Sequence, residues 1–253
     1  MALLTEIVAE LDGLLEIDAF DDYGPNGLQV QGCEQVDHVA TGVSATLELF
    51  ERAIDVGAQL IVTHHGLLWS GDDPRVIGAR RDRLRALLRA DVSLAAYHLP
   101  LDAHPRVGNN ALIAAELGLV DPQPFGRHRG RAIGVRATVA GEGLAPAEFV
   151  ALVAALTDRE PLAFLGGPKR IRSVGIVSGG GARSVDEAIA VGLDAFVTGE
   201  PAEWAAALAR ESGIHFIAAG HHATETFGPR ALGEHLRARF GVECTNVAVA
   251  NPV

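Results

Sequence analysis

Three short stretches gather imidazoles and carboxylates: Thr63-His64-His65-Gly66, His98 to His104 with Asp102 between them, and Gly220-His221-His222-Ala223-Thr224-Glu225. Each follows an apolar run. Imidazole and carboxylate without thiolate suit zinc, iron or manganese in a site that stays open for chemistry. Neighbouring side chains of a strand point to opposite faces, so His64 and His65 diverge unless the chain turns there. Diverging rings serve two ions, or one ion and a supporting contact. The competing reading is two buried histidines that only find hydrogen-bond partners. In the second stretch His98, Asp102 and His104 are candidates. Pro100 argues against a regular helix, so 98–102 reads as a strand-to-loop exit with Asp102 able to turn toward His64. Taken singly, Asp102 reads as a turn or cap residue. If 220–225 winds into a helical turn, His221 and Glu225 share one face at i, i+4 and can share a cation, while His222 points elsewhere. Glu225 alone also suits a first-turn acid favoured by the helix dipole.

Taken together, His64, His65, Asp102, His221 and Glu225 suggest a two-ion centre. Ions roughly 3.5–4 Å apart need a bridging ligand, which a carboxylate supplies. Such a centre would give Lewis-acid activation of water, with Glu200 or a nearby histidine (His98, His104 or His222) moving the proton. Two divalent ions outweigh the charge of Asp102 and Glu225, so the substrate expected is a small anion or polar heterocycle such as a purine nucleotide. Ser178-Gly179-Gly180-Gly181 lies between a strand and a helix, where backbone N–H groups bind phosphate. It lacks the residues of a P-loop, and close packing explains it equally well. Asn26 to Val30 reads as a turn into a strand. Arg80, Arg81, Arg83, Arg85 and Arg89 make one helix basic, as a solvated face or an anion-steering rim.

These residues need elements to hold them. Strand patterns cover 36–43, 59–63, 92–97, 133–140, 173–178, 194–198, 214–219 and 243–249. Helical patterns lie near 2–14, 45–56, 80–90, 109–117, 146–157, 183–191, 202–211 and 229–239. The alternation implies an α/β fold. The stretch 121–131, with two prolines and three arginines, reads as a linker between halves 1–122 and 130–253, between which elements may be exchanged. The halves are similar: AIDVGAQLIVTHH (53–65) matches AIAVGLDAFVTGE (188–200), and LAAYHLPLD (94–102) matches IAAGHHATE (217–225). Glu200 falls at the position matching the paired histidines. The architecture expected is two α/β halves related by a pseudo-twofold, with the metal site in the cleft between them.

Composition narrows the function. The chain has 253 residues, 48% hydrophobic and 21% charged, which excludes disorder. A net charge of −11 disfavours nucleic-acid backbone and anionic membrane as partners. Cys33 and Cys244 form no disulfide framework, residues 2–14 read as an amphipathic helix rather than a signal peptide, and no apolar run reaches the roughly 18 residues of a membrane span. A cytoplasmic location is expected.

The stretches NGLQV (26–30), LIVTHHGLLW (60–69), YHLPLDAHP (97–105), GNNA (108–111), SGGGA (178–182), FVTGE (196–200) and GHHATE (220–225) resemble the Nif-three-like family of dinuclear-metal proteins, also called GTP cyclohydrolase type-two homologues. The resemblance is to its compact bacterial form and runs through nearly the whole chain. It places the family's ligands on His64, His65, Asp102, His221 and Glu225. It implies two divalent ions per chain, a toroidal homohexamer and a cyclohydrolase-like reaction on a nucleotide or related heterocycle. A non-catalytic metal-binding scaffold or regulator, and metal storage or delivery, are the alternatives. Gly66 stands where many relatives have proline, and His222 where many have an aromatic residue.

Overall fold

Short apolar runs closed by glycine or by a polar pair form the central strands. The computed structural model describes residues 1–253. In chain order the first elements are β1 (Ala2–Leu3), α1 (Leu4–Leu15), β2 (Gly27–Val30), β3 (Gln35–Val36), β4 (His38–Ser44), α2 (Leu47–Asp55), β5 (Leu60–His65), α3 (Gly78–Ala90), β6 (Ser93–Ala96) and α4 (Leu99–Ala103). Next come α5 (Asn109–Glu116), β7 (Leu119–His128), β8 (Arg131–Val139), α6 (Pro146–Thr157), β9 (Leu162–Leu165), β10 (Ser173–Val177), α7 (Val185–Ala190) and β11 (Ala195–Thr198). The last are α8 (Ala205–Ser212), β12 (His215–Ala218), α9 (His221–Thr224), α10 (Phe227–Phe240) and β13 (Glu243–Asn246). This is an α/β fold with parallel and antiparallel pairing. No helix is long and apolar enough to cross a membrane.

The chain divides into two compact units: Met1–Leu101 with Gly228–Ala250, and Asp102–Phe227 with Asn251–Val253. The first holds a five-stranded sheet in the order β13-β4-β5-β6-β2. Strands β4, β5 and β6 run parallel and β2 closes the edge antiparallel to β6. Strands covered on both faces read as unbroken apolar runs, as Leu60-Ile61-Val62 does. Leu49, Phe50 and Ala53 of α2 pack on this sheet with Ile61, Leu87 and Leu94. Thr46 caps α2, its Oγ1 accepting from the Leu49 N–H at 3.2 Å.

The second unit holds a six-stranded sheet in the order β7-β8-β10-β11-β12-β9. Again three strands, β10, β11 and β12, run parallel, and an antiparallel strand, β9, pairs with the third. Apolar side chains line both faces. Ile113, Phe149, Val153 and Ile176 belong to one cluster, and Phe125, Phe196 and Phe216 to the other. The sequence repeat is therefore also a repeat of sheet topology, with β5 matching β11 and β6 matching β12.

Two features differ from the sequence reading. The expected linker 121–131 is part of a hairpin, β7–β8, turning through Arg129 and Gly130 at φ 46° and 88°. Two positive φ values in a two-residue loop give the turn whose twist suits a hairpin. Pro122 and Pro124 are tolerated because β7 is an edge strand, where a missing N–H need not break a ladder. The unit boundaries fall instead at Leu101/Asp102 and Phe227/Gly228, and β13 joins the first unit by pairing with β4. Second, residues 99–103 form the helical turn α4 despite Pro100. In a first turn the N–H that proline lacks has no intrahelical acceptor.

Candidate functional site

In the first unit, β5 ends in His64 and His65, and β6 runs into Tyr97 and His98. His64 is fully buried, and its Nδ1–H donates to the Tyr97 carbonyl at 3.0 Å. Tyr97 is itself anchored, its hydroxyl donating to Asp12 Oδ1 at 2.8 Å. His65 Nδ1 shares a hydrogen bond of 3.1 Å with Ser44 Oγ on the adjacent strand β4. The two rings do not diverge: their centroids lie 4.7 Å apart. Both residues lie within β5, with His65 still paired to Ser44, so the rings approach each other through side-chain orientation, set by Tyr97 O and Ser44 Oγ, rather than through a turn of the chain.

His98 joins them. One ligand atom from each of His64, His65 and His98 lies within 4.8 Å of the others. Asp22, whose side chain is 2% exposed, accepts from His98 Nδ1 at 2.7 Å. It also accepts from the Leu99 N–H and from Asn26 Nδ2, both at 2.9 Å. Asn26 Oδ1 in turn takes the His98 N–H at 2.7 Å. Burial pushes the Asp22 carboxyl up, but the hydrogen bond and charge of His98, with Asn26 and the Tyr23 amide, outweigh it and hold it at about 2. Gln29 Oε1 takes the Leu67 and Leu68 amides at 2.8 and 3.3 Å, which fixes the loop after the paired histidines. A side chain at Gly66 would collide with that Gln29 amide.

In the second unit, α9 winds as the spacing predicts. His221 Nε2 faces Glu225 Oε1 at 3.2 Å, and His221 Nδ1 donates to Glu200 Oε1 at 2.7 Å. Hydrogen bonding to Glu225 raises the His221 ring to about 9, against burial, with the charges of Glu225 and Glu200 adding to it. Asp102 is buried, and its Oδ1 accepts from Asn109 Nδ2 at 2.9 Å and Ser178 Oγ at 3.0 Å. Asn110 Oδ1 accepts the Ser178 N–H at 2.7 Å.

The glycine loop is spent on packing. Gly179 N–H donates to Thr224 Oγ1 at 3.0 Å, and its carbonyl accepts from Gly199 and Glu200 N–H. A Cβ at Gly179 would strike Glu225 Oε1, and φ there is +58°. Ser178-Gly179 thus braces Asp102 on one side and the His221–Glu225 pair on the other. Gly179→Ala is expected to lower stability by about 1–3 kcal/mol, through left-handed strain and the clash. Urea unfolding of the metal-free protein reads this; an unchanged midpoint would contradict it.

The remaining candidates play other parts. His104 Nδ1 accepts the Arg106 and Val107 N–H groups, as a turn cap. The His222 N–H donates to the Val253 carbonyl at 2.9 Å. Arg80 and Arg81 pair with Asp72 and Asp82. The residues that sequence reading passes over are those that hold the ligand candidates: Asp22, Ser44, Tyr97, Asn109 and Asn110. A larger hollow of about 470 Å³, lined by Gly167, Asp194, Gly213 and Ile214, lies before the N-terminal ends of β11 and β12 and holds no cluster of histidines. The candidate donors lie elsewhere.

The donor chemistry fits divalent ions. His64 and His98 each have Nδ1 committed to a carbonyl or carboxylate, which fixes the tautomer with Nε2 as the ligand atom, while His221 has Nδ1 on Glu200 and Nε2 on Glu225, where a cation would take the place of the proton between them. The partners are nitrogen and carboxylate oxygen throughout, as zinc, iron and manganese accept.

Comparison with known proteins agrees over the full length. Residues 2–252 match the family model described as Duf34/NIF3 (NGG1p interacting factor 3). A Pseudomonas aeruginosa protein described as a GTP cyclohydrolase 1 type 2 homolog is 43% identical over 249 residues, 98% of each chain. The solved structure of protein ybgI, described as of unknown function, superposes with a TM-score of 0.94 at 38% identity and full coverage of both chains. The solved structure of TTHA1606 from Thermus thermophilus gives 0.92 at 36% identity, also with full coverage of both.

Proposed function

The chain belongs to the Duf34/NIF3 family, and from that premise we propose that it is a metal-dependent hydrolase that holds two divalent ions and acts on a nucleotide or related heterocycle. The ligands proposed are His64, His65, Asp102, His221 and Glu225. The observation that carries the reading is that these donors are buried or half-buried side chains, each held in place by a second protein group. Buried carboxylates such as Asp102 and Glu225 are costly unless a cation or hydrogen-bond donors compensate them. The ions, when bound, supply Lewis-acid polarisation of a carbonyl or phosphoryl oxygen and activation of water.

The chain's own residues do the rest. Tyr97, Ser44 and Glu200 orient the three imidazoles, and Asn109 and Ser178 orient Asp102. Glu200, its side chain 44% exposed and bonded to His221, is the group proposed to carry a proton. His98 is the other candidate, held by Asp22 with Nε2 toward the paired histidines. The test is metal content combined with a screen of nucleotides, cyclic amides and phosphoesters on metal-loaded protein. Turnover that a chelator abolishes and added zinc or manganese restores is the expected result.

A homohexameric ring in the cytoplasm is proposed with it. Leu162 and Leu165 leave 50% and 52% of their surfaces exposed on the edge strand β9, which suits a contact between copies. Light scattering at micromolar concentration should give an oligomer, a hexamer on this reading. A monomer would sink the assembly proposal.

A further inference from the structure

We propose that the Arg159 guanidinium is an anion-binding group beside α9 that takes the phosphate of the substrate, and that Asn251-Pro252-Val253 is a strap that covers it and gives way to that phosphate. This rests on the reading of the chain as a metal protein acting on a nucleotide, for which it names the phosphate-binding residue. All the residues concerned belong to the second unit.

Local structure brings Arg159 to the place. Helix α6 ends with Asp158 in the left-handed region at φ 50°, and the Arg159 N–H returns to the Ala154 carbonyl at 3.2 Å. The chain then enters β9, which runs antiparallel to β12 with Leu162 opposite Ala218. Arg159 therefore stands at the end of β12 from which α9 starts. Its side chain lies directly against Gly220, the residue before His221. A Cβ at Gly220 would strike Nη1, Cδ and Cζ of Arg159, and φ there is +97°, so space and backbone both call for glycine.

The hydrogen bonding of the guanidinium points to an anion. The group carries five N–H donors in a planar fork that matches phosphate. Arg159 is half-buried and spends only Nη1, on the Pro252 carbonyl at 3.1 Å. It makes no ion pair, in a chain with 32 acids and 21 bases. The next carbonyl of the segment, that of Val253, accepts the His222 N–H at 2.9 Å. The anion site is the guanidinium; the His222 amide only fastens the strap. That strap is lightly held. Its three residues are exposed, and its internal brace is an Asx turn, Val253 N–H to Asn251 Oδ1 at 3.0 Å. Segments with little buried area and solvent-exposed hydrogen bonds open at low cost. A phosphate makes a charge-assisted, two-pronged contact with Arg159 that a single neutral carbonyl does not, so exchange favours the phosphate.

The test titrates inorganic phosphate, guanosine monophosphate and guanosine into the 15N-labelled, zinc-loaded full chain and follows the Arg159 Nε–H signal, assigned by its absence from Arg159→Gln. Phosphate and the nucleotide should shift it, together with the His222 and Val253 amides as the strap leaves, and guanosine should not. Arg159→Gln should weaken phosphate binding by at least about 10-fold. Asn251→Ala removes the brace of the strap and should tighten phosphate binding by about 3-fold, because the covered form competes less. Thermal melts show whether each variant is folded, and the wild-type shifts stand without them. An Arg159 signal that neither phosphate nor nucleotide moves, in a chain that binds zinc, overturns this inference alone. An Arg159 signal that shifts while the Val253 amide stays, with unchanged affinity in Asn251→Ala, overturns the strap and keeps the anion site. A chain that binds no zinc overturns the metal reading and this inference with it.

Discussion

His65→Ala and Glu225→Ala are each expected to lower the metal content of the purified protein from two divalent ions per chain, read by elemental analysis after dialysis. The two side chains are held differently, so the losses should differ in kind. The His65 ring is steadied by Ser44, and its removal deletes a nitrogen donor with little cost to the surrounding fold. Glu225 is 2% exposed and faces His221 Nε2. Deleting it takes away an oxygen donor and also the main cause of the raised His221 basicity. That variant should therefore lose metal and shift the stability of the metal-free form. A buried charge pair broken on one side costs about 3–5 kcal/mol, less here because His221 is part-exposed and keeps Glu200. An unchanged metal count in both variants would refute the assignment of these residues. A loss confined to Glu225→Ala would remove His65 from the ligand set and leave it a strand-end residue bonded to Ser44.

The candidate donors are legible in the sequence and the groups that hold them are not. His64, His65, Asp102, His221 and Glu225 stand at or just after the ends of apolar β-runs, and the repeat places Glu200 and the paired histidines at equivalent strand ends. Periodicity and spacing reach such features because strand, turn and the i, i+4 relation are local. Asp22 is out of reach for the opposite reason. Nothing in DDYGPNG separates a carboxylate that grips His98, 76 residues away, from an ordinary turn acid. Ser44, Asn109 and Asn110 are likewise ordinary polar residues until tertiary packing sets them beside a ligand. The same limit explains the two segments that fold otherwise than expected. Intrinsic preference makes Pro100 and the proline-rich 121–131 look like breaks, while their outcome depends on place: a first helical turn for one, an edge strand for the other. The convergence of His64 and His65 is a further case, because it depends on the partners that orient the two rings, Tyr97 O and Ser44 Oγ, rather than on the alternation of β5.

Asp102→Asn is expected to abolish most turnover, by about 100-fold or more, with a smaller effect on binding of the substrate's base. The reason begins with the hydrogen bonds. Asp102 Oδ1 already receives Asn109 and Ser178, so an asparagine there must present either its oxygen to both donors, leaving an NH₂ where the second carboxylate oxygen was, or an NH₂ to two N–H or O–H groups, which clashes. Either way the position loses its charge and one acceptor. On the hydrolase reading the loss falls on kcat and on metal content more than on affinity. Glu200→Gln separates the two contributions. It keeps the shape of the side chain and an acceptor for His221 Nδ1, yet can no longer carry a proton, so turnover should fall about 10²-fold or more while metal content stays. Equal rates for Glu200→Gln and wild type would remove Glu200 from the reaction. Should metal-replete protein turn over no nucleotide, cyclic amide or phosphoester across about pH 6–9, the donors serve binding alone and the hydrolase reading gives way to that of a metal-binding scaffold.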